Sequence, residues 1–327
     1  MLGAFAVVCI HTRPLLDISG GPIEFELLGL AIRAGSNFAV PFFFIVSGFF
    51  CCGSLRRGAP KRKVLWKYGS RLGVVFFAWS FIYGLPLLRI ETIADRGIIA
   101  ATYSHARSFL QSPIELLFRG PSVPLWFIVS LGVSLFLMAL TFPRLRGKVF
   151  VFAIPMYLVA IASRAWLSST GNPAAFIAAR EILVGPLYVG IGFLLQLNDQ
   201  YARKPHGLTL LASGFLLVLG SYVLLEWEYD PLLFTVGFGV GRVCLGTGSM
   251  LFALSYPKFG SGTILPKLGV FSLGVYVSHS LVVAGFRQVT DFNCVLWSAT
   301  FPFVVYGIAL VISFSLSKNS YTRHLVV

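Results

Sequence analysis

Residues 31–53 read AIRAGSNFAVPFFFIVSGFFCCG, an apolar run broken by one charge, Arg33. A helix needs about 20 consecutive apolar residues to cross the hydrocarbon core of a bilayer, and this stretch is long enough. Segments of the same kind follow one another along the chain with short polar breaks. They lie near 1–14, 72–90, 123–142, 149–167, 182–198, 208–226, 232–255, 268–287 and 293–316. With 31–53 that makes about ten helices. The chain has 327 residues, 57% of them apolar and 12% charged, with a mean hydropathy of +0.83. A soluble domain carries about 25% charged residues. The expected fold class is therefore all-α, a polytopic membrane protein with one bundle over 1–327.

Charge sets the orientation. One set of alternate loops holds Arg56, Arg57, Lys61, Arg62, Lys63, Lys67 and Arg71, then Arg144, Arg146, Lys148, Arg203, Lys204, Lys258, Lys267, Lys318 and Arg323. Asp199 is the only acid among them, and every other acid falls in the opposite set. A Lys/Arg excess marks cytoplasmic loops, which puts both termini inside and accounts for the net charge of +14 without nucleic acid. The long outer connection 91–122 repeats apolar residues at helical spacing, as an amphipathic element on the membrane face or a lid over a site. Cys9, Cys51, Cys52, Cys244 and Cys294 lie in apolar segments without metal-ligand or disulfide spacing. No metal site and no tightly bound cofactor is expected. Cys51-Cys52 reads either as two small hydrophobes at a helix end or as a palmitoylation site.

The first segment, MLGAFAVVCIHTR (Met1–Arg13), ends its apolar run in His11. It is short for a span and reads as a helix cut at its cytoplasmic end, with the gene start upstream of residue 1. A histidine at the outer end of a membrane helix is a candidate functional group; an interfacial histidine bonded to a nearby loop is the competing reading. In NFAVPFFFIVSGFF (37–50), Pro41 predicts a kink within a spanning helix, and Ser47-Gly48 a close helix approach. Lys63, Lys67 and Arg71 recur every fourth residue and share a helix face, either as membrane anchors or as a clamp for a phosphorylated cytoplasmic ligand. Trp126 opens a helix at the outer interface. Ser272, Tyr276 and His279 fall on one face of FSLGVYVSHS and must point into protein or a cavity, as must Arg242. His105, His206 and His324 read as exposed.

These segments together resemble the acyltransferase-3 family of bacterial integral-membrane acyltransferases. The likeness rests on AVVCIHT (6–12), VPFFFIVSGFF (40–50), the Lys67/Arg71 start of the third helix with Trp79-Ser80, LWF (125–127) and SLGVYVSH (272–279), in family order along nearly the whole chain. The resemblance implies transfer of an acyl group, commonly acetyl, from cytoplasmic acyl-CoA to a hydroxyl of a cell-surface or lipid-linked sugar, at the inner (cytoplasmic) membrane. It makes His11 catalytic. It maps the basic pair of the third helix onto Lys67 and Arg71, with Lys63 beside them for acyl-CoA, and the C-terminal Ser, Tyr and His onto Ser272, Tyr276 and His279. Arg33 or Arg242 is left as an oxyanion or substrate group, with Trp126 a further candidate. The family's Arg about ten residues before the histidine falls at or before Met1, and its soluble esterase-like extension is absent. Expected partners are acyl-CoA, a sugar or glycolipid acceptor and the lipid bilayer. The rival readings are a transporter or flippase of glycan intermediates, weakened by the lack of an inverted repeat and of an intramembrane carboxylate, and a scaffold in an export complex.

Overall fold

In lipid a backbone amide has no water to bond to, so long apolar segments close their hydrogen bonds internally as helices. The computed structural model describes residues 1–85, 90–111, 113–141, 148, 150–170, 174–198, 206–226 and 231–327, and its regular structure there is entirely helical. The helices are α1 (Leu2–Thr12), α2 (Ile23–Ser36), α3 (Ala39–Arg56), α4 (Lys61–Gly84), α5 (Ile90–Leu110), α6 (Pro113–Arg119) and α7 (Trp126–Thr141). They continue as α8 (Phe150–Thr170), α9 (Ala174–Leu197), α10 (Gly207–Glu226), α11 (Pro231–Ser255), α12 (Leu265–Gly269), α13 (Ser272–Arg287) and α14 (Val295–Ser317). Each of the ten expected segments carries a helix. Five stretches among the described residues are long and apolar enough to cross a membrane: Ile23–Arg56, Val123–Thr141, Gly207–Leu224, Val236–Ser255 and Val295–Ser317. Leu2–Thr12, Phe150–Ser163 and Glu181–Leu197 are apolar but shorter. Of the charges used for orientation, Arg144, Arg146, Asp199, Arg203, Lys204, Glu228 and Asp230 lie outside the described residues.

The stretch around 31–53 departs from the single kinked span that Pro41 predicts. Helix α2 begins at Ile23, the chain turns at Asn37-Phe38, and Pro41 falls in the first turn of α3. The first four N–H groups of a helix have no intrahelical acceptor, so a proline costs little there. The Asn37 amide donates to the Arg33 carbonyl at 2.7 Å and to the Tyr222 hydroxyl at 3.1 Å, which pins the break to α10.

Close crossings hold the bundle. A Cβ on Gly48 would run into the Val189 backbone, and one on Gly192 into the Ile45 carbonyl and the Phe49 amide. Helices α3 and α9 therefore pack backbone to backbone, the close approach expected at Ser47-Gly48. Helix α10 packs on α11 over the most extensive contact in the molecule. Cys51 and Cys52 are fully buried, which rules in favour of core packing for that pair. The described part of connection 91–122 is mostly helical, as α5 and α6, with the chain bent at Gly97 (φ 79°) and most of the described α5 side chains exposed. A short 3-10 turn, Arg323–Leu325, brings the tail back into the bundle: Trp79 donates its indole N–H to the Leu325 carbonyl at 3.2 Å, and Gly274 its amide to Val326 at 3.1 Å.

Candidate active site

Helix α1 lies against α2, α3, α13 and α14. Its Ala4 and Val8 join Val275, Val282, Val283, Phe301, Val305 and Ala309 in one buried cluster. That packing fixes the rotation of α1, and with it the direction of His11 in the last turn. The helix stops where Arg13 takes a left-handed conformation (φ 51°) ahead of Pro14. Leu15, also at positive φ (65°), is held by its amide donating to Ser298 Oγ at 2.8 Å. Non-glycine residues in this region store strain that the surroundings must hold in place, so the turn after His11 is tied to α14.

The imidazoles of His11 and His279 lie with ring centroids 5.0 Å apart and planes inclined by 47°. His279 is fully buried. Its Nδ1 sits 2.6 Å from the Tyr276 carbonyl and 3.2 Å from that of Val275, two acceptors, so Nδ1 carries the proton. The lone pair is then on Nε2, where the Ser280 hydroxyl stands at 3.3 Å. Tyr276 packs against His279 (centroids 6.0 Å apart) and donates its hydroxyl to the Pro124 carbonyl at 2.7 Å. The cations whose charges reach the His11 imidazole are Arg33 and Arg287. Arg287 is engaged by Asp17 at 2.9 Å. Arg33 lies over the Tyr222 ring at 5.0 Å, and its Nε has no hydrogen-bond partner among the described residues. Two imidazoles and a tyrosine meet where α1 packs on α13, and the Arg33 charge acts on His11.

Residues 1–318 match the family model for the acyltransferase domain. The chain belongs to the acyltransferase-3 family. The chain is also similar to an amino-acid racemase of Enterococcus faecalis, 26% identical over 175 residues, which are 53% of this chain and 23% of the racemase. The chain thus spans under a quarter of that relative's length. No solved structure matches it.

The remaining expected site residues divide. Lys63, Lys67 and Arg71 are exposed on α4, which buries only the stripe Val64, Val75, Trp79 and Tyr83. Ser272 is the first residue of α13, about two turns from His279. Trp126 and Arg242 line a separate cavity of about 190 Å³ with Tyr157, Glu181, Tyr188 and Phe238. Trp126 is half-buried there against Phe44.

Three groups escaped the sequence reading. Glu181, grouped with the outer-loop acids, is the eighth residue of α9 and its charge acts on Tyr276. This weakens the argument that the apolar segments hold no carboxylate. Tyr83 donates its hydroxyl to the Val277 carbonyl at 2.7 Å, beside the tyrosine-histidine face. His105 is not an exposed loop histidine: it is half-buried in α5, with Nε2 3.1 Å from the Tyr83 carbonyl. His206 and His324 are exposed as expected.

Proposed function

We propose that this membrane acyltransferase carries an acyl group, acetyl by preference, from cytoplasmic acyl-CoA to a hydroxyl of a cell-surface or lipid-linked sugar. The reading includes the ten-span topology with both termini cytoplasmic, in a cell inner membrane. One observation carries it: the His11–His279 pair at 5.0 Å, with the Arg33 charge within reach. His11 accepts the proton of the acceptor hydroxyl, and the oxygen attacks the thioester carbonyl carbon. A C–O bond forms, the C–S bond breaks, and CoA leaves as a thiolate that takes up the proton. A base placed this way contributes about 10²–10⁴-fold. Arg33 faces the developing oxyanion. His279, its Nδ1–H held by the backbone, presents a lone pair toward the pair's shared space and positions His11.

On the donor side, Lys63, Lys67 and Arg71 hold the phosphates of CoA. A groove of about 310 Å³ between α4 and α7, lined by Tyr68, Gly69, Leu72, Phe76 and Gly132, starts on the same turns of α4 and supports a path for the pantetheine arm. The test supplies inside-out membrane vesicles with radiolabelled acetyl-CoA and follows label into endogenous glycan. Label in wild type that is lost in His11→Ala, with equal membrane insertion, is the expected result. Undiminished transfer by His11→Ala overturns the role of His11.

A further inference from the structure

The cavity enclosed by α7, α8, α9 and α11 does not belong to the histidine pair. Neither His11 nor His279 lines it. The Arg242 guanidinium lies over the Phe238 ring at 5.3 Å, and its Nε is buried without a hydrogen-bond partner among the described residues. Glu181 stands on the same wall. A guanidinium buried inside apolar helices with its Nε unpartnered costs several kcal/mol unless it serves a ligand. The cavities of about 310 and 510 Å³ elsewhere have linings made almost wholly of aliphatic and aromatic side chains. Here an acceptor, a donor, two phenols and an indole face one space.

We propose that this cavity binds one pyranose ring of the acceptor glycan, the ring next to the one that is acylated. The proposal rests on the sugar-acceptor reading above. Trp126 supplies a flat apolar face for the ring's C–H side. Glu181 accepts and Arg242 donates hydrogen bonds at the ring's hydroxyl edge. Tyr157 and Tyr188 are joined hydroxyl to hydroxyl at 2.9 Å, and Tyr157 is further bound to the Gly239 carbonyl at 2.9 Å, so the phenols are fixed before any ligand arrives.

Other occupants fit less well. An acyl chain gains nothing from a wall carrying both charges. A CoA phosphate meets the Glu181 carboxylate. The volume of about 190 Å³ falls below the roughly 300 Å³ at which pockets for drug-sized ligands begin, which suits one ring and not a chain of rings. The route to the chemistry is short. Trp126 follows Pro124 and Leu125 in sequence, the Pro124 carbonyl receives the Tyr276 hydroxyl, and Tyr276 packs on His279. A ring held at Trp126 is thereby set one wall away from the histidine pair.

The test uses the full chain in lipid nanodiscs. The probe is the oligosaccharide pool released from the cell envelope by mild acid and tritiated at its reducing ends, and equilibrium binding is measured without acyl-CoA. Wild type and Gly220→Ala, a change in open space on α10, bind the pool alike. Arg242→Gln and Trp126→Leu each bind it at least tenfold more weakly while keeping a wild-type elution profile and melting midpoint. Tyr188→Phe, the mildest change, serves where either of these fails to fold. Unchanged binding by the folded cavity variants, or no binding by wild type, overturns the pocket. Binding that depends on Arg242 in a protein that acylates no sugar keeps the pocket and overturns the acyltransfer reading.

Discussion

At the scale of single residues, the chemistry depends on where protons sit. His279 has no freedom to choose a tautomer, because two backbone carbonyls face Nδ1. On the proposed mechanism, replacing it by alanine is expected to lower acyl transfer less than His11→Ala does, since there one change removes a positioning group and the other the base. The check is initial rates of label incorporation from vesicles with matched protein content. Tyr276→Phe leaves the Pro124 carbonyl buried without its donor, a loss of about 1–3 kcal/mol, to be seen as a lower melting midpoint of the detergent-solubilised protein. His11, Tyr276 and His279 were legible because polar side chains in apolar runs stand out. Glu181 was not. It follows Arg180, and two adjacent charges mark a loop by default, although α9 runs back through them to Ala174. Arg33 and Arg242 looked alike in sequence; their neighbours differ, and only tertiary contact separates them.

Elements are held by how closely their backbones approach. Gly192→Leu places a side chain where α9 meets the Ile45 carbonyl. Overpacking of this kind costs about 1–3 kcal/mol even where flexible side chains yield, and backbone yields less. The expected outcome is aggregation or loss of a monodisperse elution peak. Gly220→Ala is the control: open space surrounds that position in α10, and an alanine there gains up to about 1 kcal/mol of helix propensity. Pro41 announced an irregularity but not its form. Without Tyr222 opposite Asn37, a kink within one helix and a turn between two are equally compatible with the same letters. Helices α8 and α9 were legible despite Pro155 and Pro186, because lipid leaves an apolar segment no other way to satisfy its backbone.

For the whole molecule, loop charge argues for an arrangement that Cys294 can test. The ten-span reading puts the start of α14 outside, and Cys294 is exposed whereas Cys9, Cys51 and Cys52 are buried. A membrane-impermeant maleimide is therefore expected to label intact cells through Cys294, and Cys294→Ser to abolish that labelling. Labelling only after lysis would reverse the orientation. The all-helical class and the succession of helices followed from hydropathy alone. The way the tail closes on Trp79 and Gly274 did not, because nothing in RHLVV distinguishes a buried end from a loose one.

The Asp17–Arg287 ion pair joins residues 270 positions apart, and it locks the turn after His11 to the helix that carries His279. A ribosome adds about 5–20 residues each second, so the first of these groups waits roughly 14 to 54 s in the membrane before the second is made. During that interval Asp17 and the two strained residues beside it have none of their distant partners, Arg287 and Ser298 among them. The turn after His11 thus acquires its native surroundings only once α13 and the start of α14 have been made.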